Sequence, residues 1–170
     1  MVYKALVAGA NGIIGKALLE ELARAPGWEA RGLSRSHGDI RADLTDAAQT
    51  RGALEAAADC THLFYAAYGP GGGLAGEDTR NAAMLRNLLD GLQHAGAPLR
   101  RVVLYQGAKV YGVHLGPVST PFYEDENPVR SARISILRSS VNCRPAMKPV
   151  APNGPSCGLM WSWAMPRAMR

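Results

Sequence analysis

Gly9, Gly12 and Gly15 follow directly on the short apolar run Lys4–Ala8 and open a segment of helical periodicity. Where a strand turns into a helix, three glycines at this spacing have separate uses. Gly9 permits the tight turn, Gly12 lets the backbone approach a pyrophosphate, and Gly15 lets the helix pack closely on the sheet. The free N–H groups and positive end of that helix then face phosphates, with Asn11, Ile13 and Ile14 in the same turn. A glycine triplet also fits a plain strand–turn–helix corner. The strand before it and the helix after it favour a nicotinamide dinucleotide site.

The tip of the second strand carries a choice between cofactors. An acid about 20 residues after the glycines would hold a ribose 2′-hydroxyl, as in NAD enzymes. Here the strand ends in Leu33-Ser34-Arg35. Arg35 can pair with a 2′-phosphate and stack on adenine, and Ser34 can donate a hydrogen bond. NADP(H) is the favoured reading, with NAD(H) open because Asp39 could still reach a ribose. Asp43-Leu44 follow as candidates near the adenine, Asp43 also reading as a turn residue before a helix. Ala66, Ala67 and Tyr68 end the third strand and Gln106 follows the fourth, where ligands of parallel sheets bind.

The elements that must position these residues alternate along the chain. Lys4–Ala8, Ala30–Leu33, His62–Ala67 and Arg101–Tyr105 read as short buried strands. Gly15–Arg24, Asp46–Ala58 and Asp78–Ala95 read as helices. Pro26-Gly27 closes the first, Asp46 or Thr45 caps the second, and Gly96 ends the third, whose stripe is Met84, Leu85, Leu88, Leu89 and Leu92. Strand–helix alternation implies right-handed crossovers and a parallel sheet.

With these residues in hand, positions 3–128 resemble an extended, atypical short-chain dehydrogenase/reductase of the epimerase/dehydratase superfamily. The likeness is to the progesterone 5β-reductase/iridoid synthase-like group. It rests on Gly9–Gly15, Ser34-Arg35, Asp43-Leu44, Thr61–Tyr65 and the run from Asn81 to Asn87. Gln106-Gly107-Ala108-Lys109-Val110-Tyr111-Gly112 is the most specific match, followed by Leu115-Gly116-Pro117 and Pro121–Asp125. The resemblance implies that Lys109 is catalytic, in a stretch where the family reads Thr-Gly-Thr-Lys-His-Tyr. Gln106 and Ala108 depart from its threonines. The resemblance also implies reduction of a conjugated carbonyl, with a later tyrosine holding the oxygen that becomes an enolate.

A second arrangement occupies the same residues. Tyr105 and Lys109 stand four apart, the Tyr-x-x-x-Lys signature of most short-chain dehydrogenases, and would serve a nucleotide-sugar epimerase or dehydratase. That signature works when both share one helix face. Here Tyr105 ends a Val-Val-Leu strand and is followed by Gln-Gly, which argues against it. A non-catalytic dinucleotide sensor is the alternative outside the enzymes.

Charge divides the chain. All fourteen acids precede residue 127, whereas residues 131–170 hold six Lys and Arg and no acid. A basic tail can mean nucleic acid or an anionic membrane, but this one has no aromatic interleaving and no helical or heptad period. The tail also lacks the expected Asn-Phe-Tyr-Tyr motif. Read from the third base of each codon, Arg133–Leu137 can encode His-Phe-Tyr-Phe. Three positions whose shifted codon is forced (Met160-Trp161 to Val, Trp163-Ala164 to Gly, Met165-Pro166 to Ala) fit what the family carries next. The expectation is an out-of-frame tail, the rival a divergent one. Five prolines from Pro145 to Pro166 argue against long elements there.

The composition, 47% hydrophobic and 19% charged, is that of an ordinary globular domain. No run approaches the roughly 18–20 apolar residues of a membrane span, and the N-terminal residues lack the h-region of a signal peptide. Cys60, Cys143 and Cys157 have no framework or metal spacing. The expectation is therefore a cytoplasmic α/β protein. Residues 1–130 would form a Rossmann-type doubly wound parallel sheet, incomplete at its C-terminal side, and 131–170 an irregular tail. It would take a small-molecule carbonyl substrate, with no nucleic acid, membrane or metal. Whether it forms a homodimer is not legible.

Overall fold

A computed structural model describes residues 2–71, 73–113, 116–118 and 120–121. The tail 131–170 lies outside them, as does the stretch 122–125 invoked above. Five strands form one parallel sheet: β1 (Tyr3–Ala8), β2 (Trp28–Ser34), β3 (Ile40–Arg41), β4 (His62–Tyr65) and β5 (Arg101–Leu104). They lie in the order β3-β2-β1-β4-β5, the order of a dinucleotide-binding doubly wound sheet, with β1 at its centre.

The sequence of β1 explains its place. Alternate side chains of a strand point to opposite faces, and both faces of β1 are buried. Leu6 and Ala8 join Leu63, Tyr65, Leu85 and Leu88 in one core cluster. Ala5 and Val7 meet Leu22 in a second. Helix α1 (Ile13–Arg24) covers the second cluster; α2 (Ala47–Leu54) and α3 (Gly73–His94) cover the first. Each fully buried leucine here contributes about 1.5–3 kcal/mol by leaving water.

Helix ends follow local chemistry. Asp46 caps α2, its carboxylate accepting from the Gln49 amide at 2.9 Å. Gly96, with φ +72°, ends α3. There the Ala97 amide reaches the Leu92 carbonyl at 3.0 Å and the Gly96 amide that of Gln93 at 3.1 Å, a Schellman motif.

Several boundaries differ from the expectation: β1 and β2 begin earlier, at Tyr3 and Trp28, α2 ends at Leu54, and β4 ends at Tyr65. Helix α1 starts two residues earlier, at Ile13, because Gly12 already serves as its N-cap. Strand β3, only two residues long and set among polar residues, carried no periodic signal. Helix α3 starts at Gly73 rather than Asp78, although glycines are poor helix formers. Side chains of its first turns grip the preceding loop and offset that weakness.

The buried Tyr65 hydroxyl has no hydrogen-bond partner among the described residues, and burial pushes its pKa up. An unsatisfied buried hydroxyl costs about 1–3 kcal/mol. Tyr65→Phe is therefore expected to equal or exceed the unaltered protein in urea unfolding. A loss above about 1 kcal/mol would mean that the hydroxyl is satisfied after all.

Candidate functional site

The carboxyl ends of the strands open into a cleft of about 780 Å³, lined by residues following β1, β2, β3 and β4 and by one face of α3. The turn out of β1 sets its floor. Gly9 sits at φ +85°, and a Cβ there would lie 2.7 Å from the Ala66 backbone. A Cβ on Gly15 would run into the Gly9 carbonyl oxygen. Gly12 differs. Its φ of −75° is ordinary, and the nearest atom to an added Cβ is 3.3 Å away. The chain's own packing thus demands Gly9 and Gly15, whereas Gly12 is a glycine on the wall of the cleft. Since Gly12 has no side chain to cap α1, the amides of Ile13, Ile14 and Gly15 have no intrahelical partner.

Asn11 braces this turn against the tip of β2. Its amide donates to the hydroxyls of Ser34 at 2.8 Å and Ser36 at 3.3 Å. Ser34 is 9% exposed; its hydroxyl accepts from the His37 amide and gives its own proton to the His37 carbonyl. Ser34 therefore organises the loop, and Arg35 and Ser36 line the cleft beside it. The Asp39 carboxylate accepts from the Gly32 amide at 2.7 Å and does not line the cleft.

Asp43 forms the next stretch of wall with Leu44 and Thr45. Its carboxylate accepts from the Thr45 amide at 2.9 Å and the Thr45 hydroxyl at 2.7 Å. Those bonds, with a smaller push from Arg35 and Arg80, hold its pKa below the usual carboxylate value. The backbone is fixed from behind. Thr50 donates to the Asp43 carbonyl at 3.1 Å and Asn87 to that of Leu44 at 2.8 Å.

The loop after β4, Ala66–Pro70, closes the cleft and is clamped to α3. Asn81, 1% exposed, accepts from the Gly69 amide at 2.8 Å and donates to the Gly69 carbonyl at 3.0 Å. Arg80 donates to the Pro70 carbonyl at 2.7 Å. Arg80, Ala83 and Met84, three and four apart on α3, complete the lining.

Lys109 lies in a short 3-10 turn, Ala108–Tyr111, outside the lining of the cleft. Its ammonium is 3.0 Å from the Glu77 carboxylate and 5.9 Å from the centre of the Tyr68 ring. Tyr68 donates its hydroxyl proton to the same Glu77 oxygen at 2.7 Å. The Tyr68 and Lys109 hydrogen bonds lower the Glu77 pKa to about 2; the bond to Glu77 raises that of Lys109. The Tyr-x-x-x-Lys arrangement is absent. Tyr105 continues the sheet, its amide reaching the Tyr65 carbonyl at 3.1 Å, and extended Gly107 separates it from the turn that holds Lys109.

The cleft thus gathers Gly9, Asn11, Gly12, Ser34, Arg35, Asp43, Leu44, Ala66, Ala67 and Tyr68. Gln106, Ile13, Ile14, Gly15 and Lys109 are not in its lining. The sequence reading missed Ser36, Thr45, Gly69, Arg80 and Ala83. Met84 was placed in the core stripe, and it both packs there and lines the cleft. Its spacing from Arg80 on the helix was the one signal that could have found the arginine. Among the described residues no cluster of His, Cys, Asp and Glu could hold a metal ion, and no helix is long and apolar enough to cross a membrane.

The model of the NAD dependent epimerase/dehydratase family matches residues 5–133. A 3-oxo-Δ4,5-steroid 5β-reductase of Arabidopsis thaliana is 33% identical over 143 residues, covering 71% of this chain and 36% of its own length. An (S)-8-oxocitronellyl enol synthase of Catharanthus roseus is 31% identical over 142 residues, covering 71% of this chain and 35% of its own. The chain thus spans about a third of the length of the curated relatives it matches. The solved UDP-N-acetylglucosamine 4-epimerase of Bacillus cereus superposes with a TM-score of 0.62 at 21% identity, over 84% of this chain and 52% of its own, a likeness of fold.

The Tyr68–Glu77–Lys109 contact carries a pH signature. Hydrogen bonds to the charged form keep Glu77 ionised, so the contact persists above pH about 2 and is lost below it. Tyr68→Phe removes the largest contribution and is expected to move the Glu77 midpoint up toward 4.5, read by carboxyl carbon NMR. A midpoint unmoved by the substitution would show that Tyr68 does not hold this carboxylate.

Proposed function

The chain belongs to the NAD dependent epimerase/dehydratase family, and on that premise we propose that its cleft binds NADP(H) for the reduction of a small conjugated carbonyl compound. One observation carries the reading. Gly12, the glycine of the triplet least crowded by the chain's own atoms, with an added Cβ 3.3 Å from the Gly9 carbonyl, lines the same cleft as Arg35, and no acid stands at the tip of β2.

The residues present fit such a group. A cleft of about 780 Å³ lies within the usual range for ligand pockets. The unpartnered amides at the start of α1 suit a pyrophosphate. Arg35 supplies a bidentate fork for a 2′-phosphate. Asp39, the alternative ribose ligand, is engaged by the Gly32 amide. Asp43, Leu44 and Met84 offer a partly apolar wall for adenine.

When bound, the dinucleotide supplies hydride to the conjugated carbon of the substrate. The chain's own contribution is to bind, orient and hold charge. Lys109 matches the lysine that the resembling group uses for catalysis, and by that likeness it would hold the ribose beside the reacting ring. Its ammonium is kept protonated by Glu77. The Arabidopsis relative is named for a 3-oxo-Δ4,5 steroid, itself a conjugated ketone. The position of Tyr105 off any helix shared with Lys109 argues against the epimerase arrangement. For residues 131–170 the proposal is a shifted reading frame, supported by the forced codons and by a family match that stops at residue 133. Reduction by this chain would then be slow for want of the acid tyrosine, a loss of about a hundred- to a thousandfold. The source DNA read beyond residue 130 tests that frame directly.

Two binding measurements test the cofactor site. Gly12→Val is expected to fold and to lose NADPH binding in calorimetric titration; a folded variant of unchanged affinity would refute the assignment. Arg35→Ala is expected to narrow the preference for NADPH over NADH by about ten- to a hundredfold, the worth of a charge-assisted contact of about 1.5–3 kcal/mol. Equal affinities for the two cofactors in the unaltered protein would remove Arg35 from that role.

A further inference from the structure

We infer that Arg80 of α3 is a specificity-determining residue that, together with Arg35, meets the 2′-phosphate of the dinucleotide, an inference that rests on the proposed cofactor site. Three observations lead there.

The first is charge. Among the described residues lining the cleft, the ionised groups are Arg35, Arg80 and Asp43. One arginine would balance Asp43. The second leaves the cleft with an excess of one positive charge, and Asp43 is already engaged by both polar groups of Thr45. A pyrophosphate seated on the start of α1 is met by backbone amides, so that site does not require this cation. A further anion at the Asp43 end does.

The second observation is placement. Arg35 comes from the loop after β2 and Arg80 from α3, and both act electrostatically on Asp43. The two arginines thus line one cleft with Asp43 from separate elements. A phosphate carried on the adenosine ribose would be met by a cation from each of these elements.

The third is preorganisation. The Arg80 stem runs along Gly69, where an added Cβ would lie 3.0 Å from its Cδ, and one guanidinium nitrogen is tied to the Pro70 carbonyl at 2.7 Å. Arginine has five N–H donors. One holds the fork in place on Pro70, and the fork presents further N–H donors to the cleft it lines. A side chain fixed before binding loses less freedom on binding.

The test uses the whole chain and two small probes, adenosine 2′,5′-bisphosphate and 5′-AMP, titrated calorimetrically against the unaltered protein, Arg80→Ala and Arg80→Gln. Glutamine removes the charge while keeping a polar N–H donor and more of the stem than alanine, so a loss shared by both variants reports the missing charge. Both variants are expected to weaken the bisphosphate about tenfold and to leave 5′-AMP unchanged. The bisphosphate affinity of the unaltered protein is expected to fall more steeply with salt than that of Arg80→Gln. If both variants bind the bisphosphate as the unaltered protein does, or lose the two probes equally, Arg80 does not read the 2′-phosphate, although the cofactor site stands. If the unaltered protein binds neither probe, nor NADPH, the cofactor site itself is wrong and this inference falls with it.

Discussion

The close approach of Gly15 to the Gly9 carbonyl is the constraint on which the rest of the structure depends. It brings the start of α1 hard against the end of β1, while Gly9 passes just as close to Ala66 at the end of β4. A side chain at Gly15 would force α1 away from the sheet, and one at Gly9 would push against the end of β4. With α1 held there, its N-cap Gly12 lines the space at the ends of the strands. The cleft is therefore a consequence of how tightly one helix meets one strand. Gly12, between the two, is spared that packing and becomes part of the wall.

A second set of contacts makes the cleft stiff. Its walls are loops, which by themselves would be mobile, and buried or braced amide side chains fix them. Asn11 ties the glycine turn to the loop after β2. Asn87 holds the Leu44 carbonyl and Asn81 both backbone groups of Gly69, so that α3 supports two loops at once. An asparagine is suited to this because one side chain both donates and accepts. The same helix that fills the core with Leu85, Leu88 and Leu92 thus sets the shape of the site on its other end.

Much of this was legible in the sequence, for reasons that are local. Strand-to-helix glycines, an Asp cap before α2 and a Gly stop after α3 each act through neighbours within a few residues, and the structure places all three. The alternation of strands and helices gave the parallel sheet. What stayed hidden depends on contacts across the chain. Strand β3 exists because Leu33 and Ser34 pair with Ile40 and Arg41, not because two residues carry a pattern. The first turns of α3, glycine-rich and unpromising, are held by Glu77, Arg80 and Asn81 reaching back to the loop they follow. Arg80 drew no notice in the sequence, since only the tertiary fold brings it to the cleft that Asp43 also lines. Ser34, which lines the cleft as expected, also closes its own loop through His37, a contact the sequence did not reveal.

The most direct measurement of the central claim is a titration of the isotope-labelled chain with NADPH, followed by amide NMR shifts. If the cleft holds a dinucleotide on the start of α1, the amides of Gly12, Ile13 and Ile14 should shift together with those of Asp43, Leu44 and Thr45. Saturation should come at lower concentration for NADPH than for NADH. Shifts confined to the opposite end of the sheet, around Tyr3, Trp28 and His62, or no shifts at the glycine turn under saturating cofactor, would contradict it.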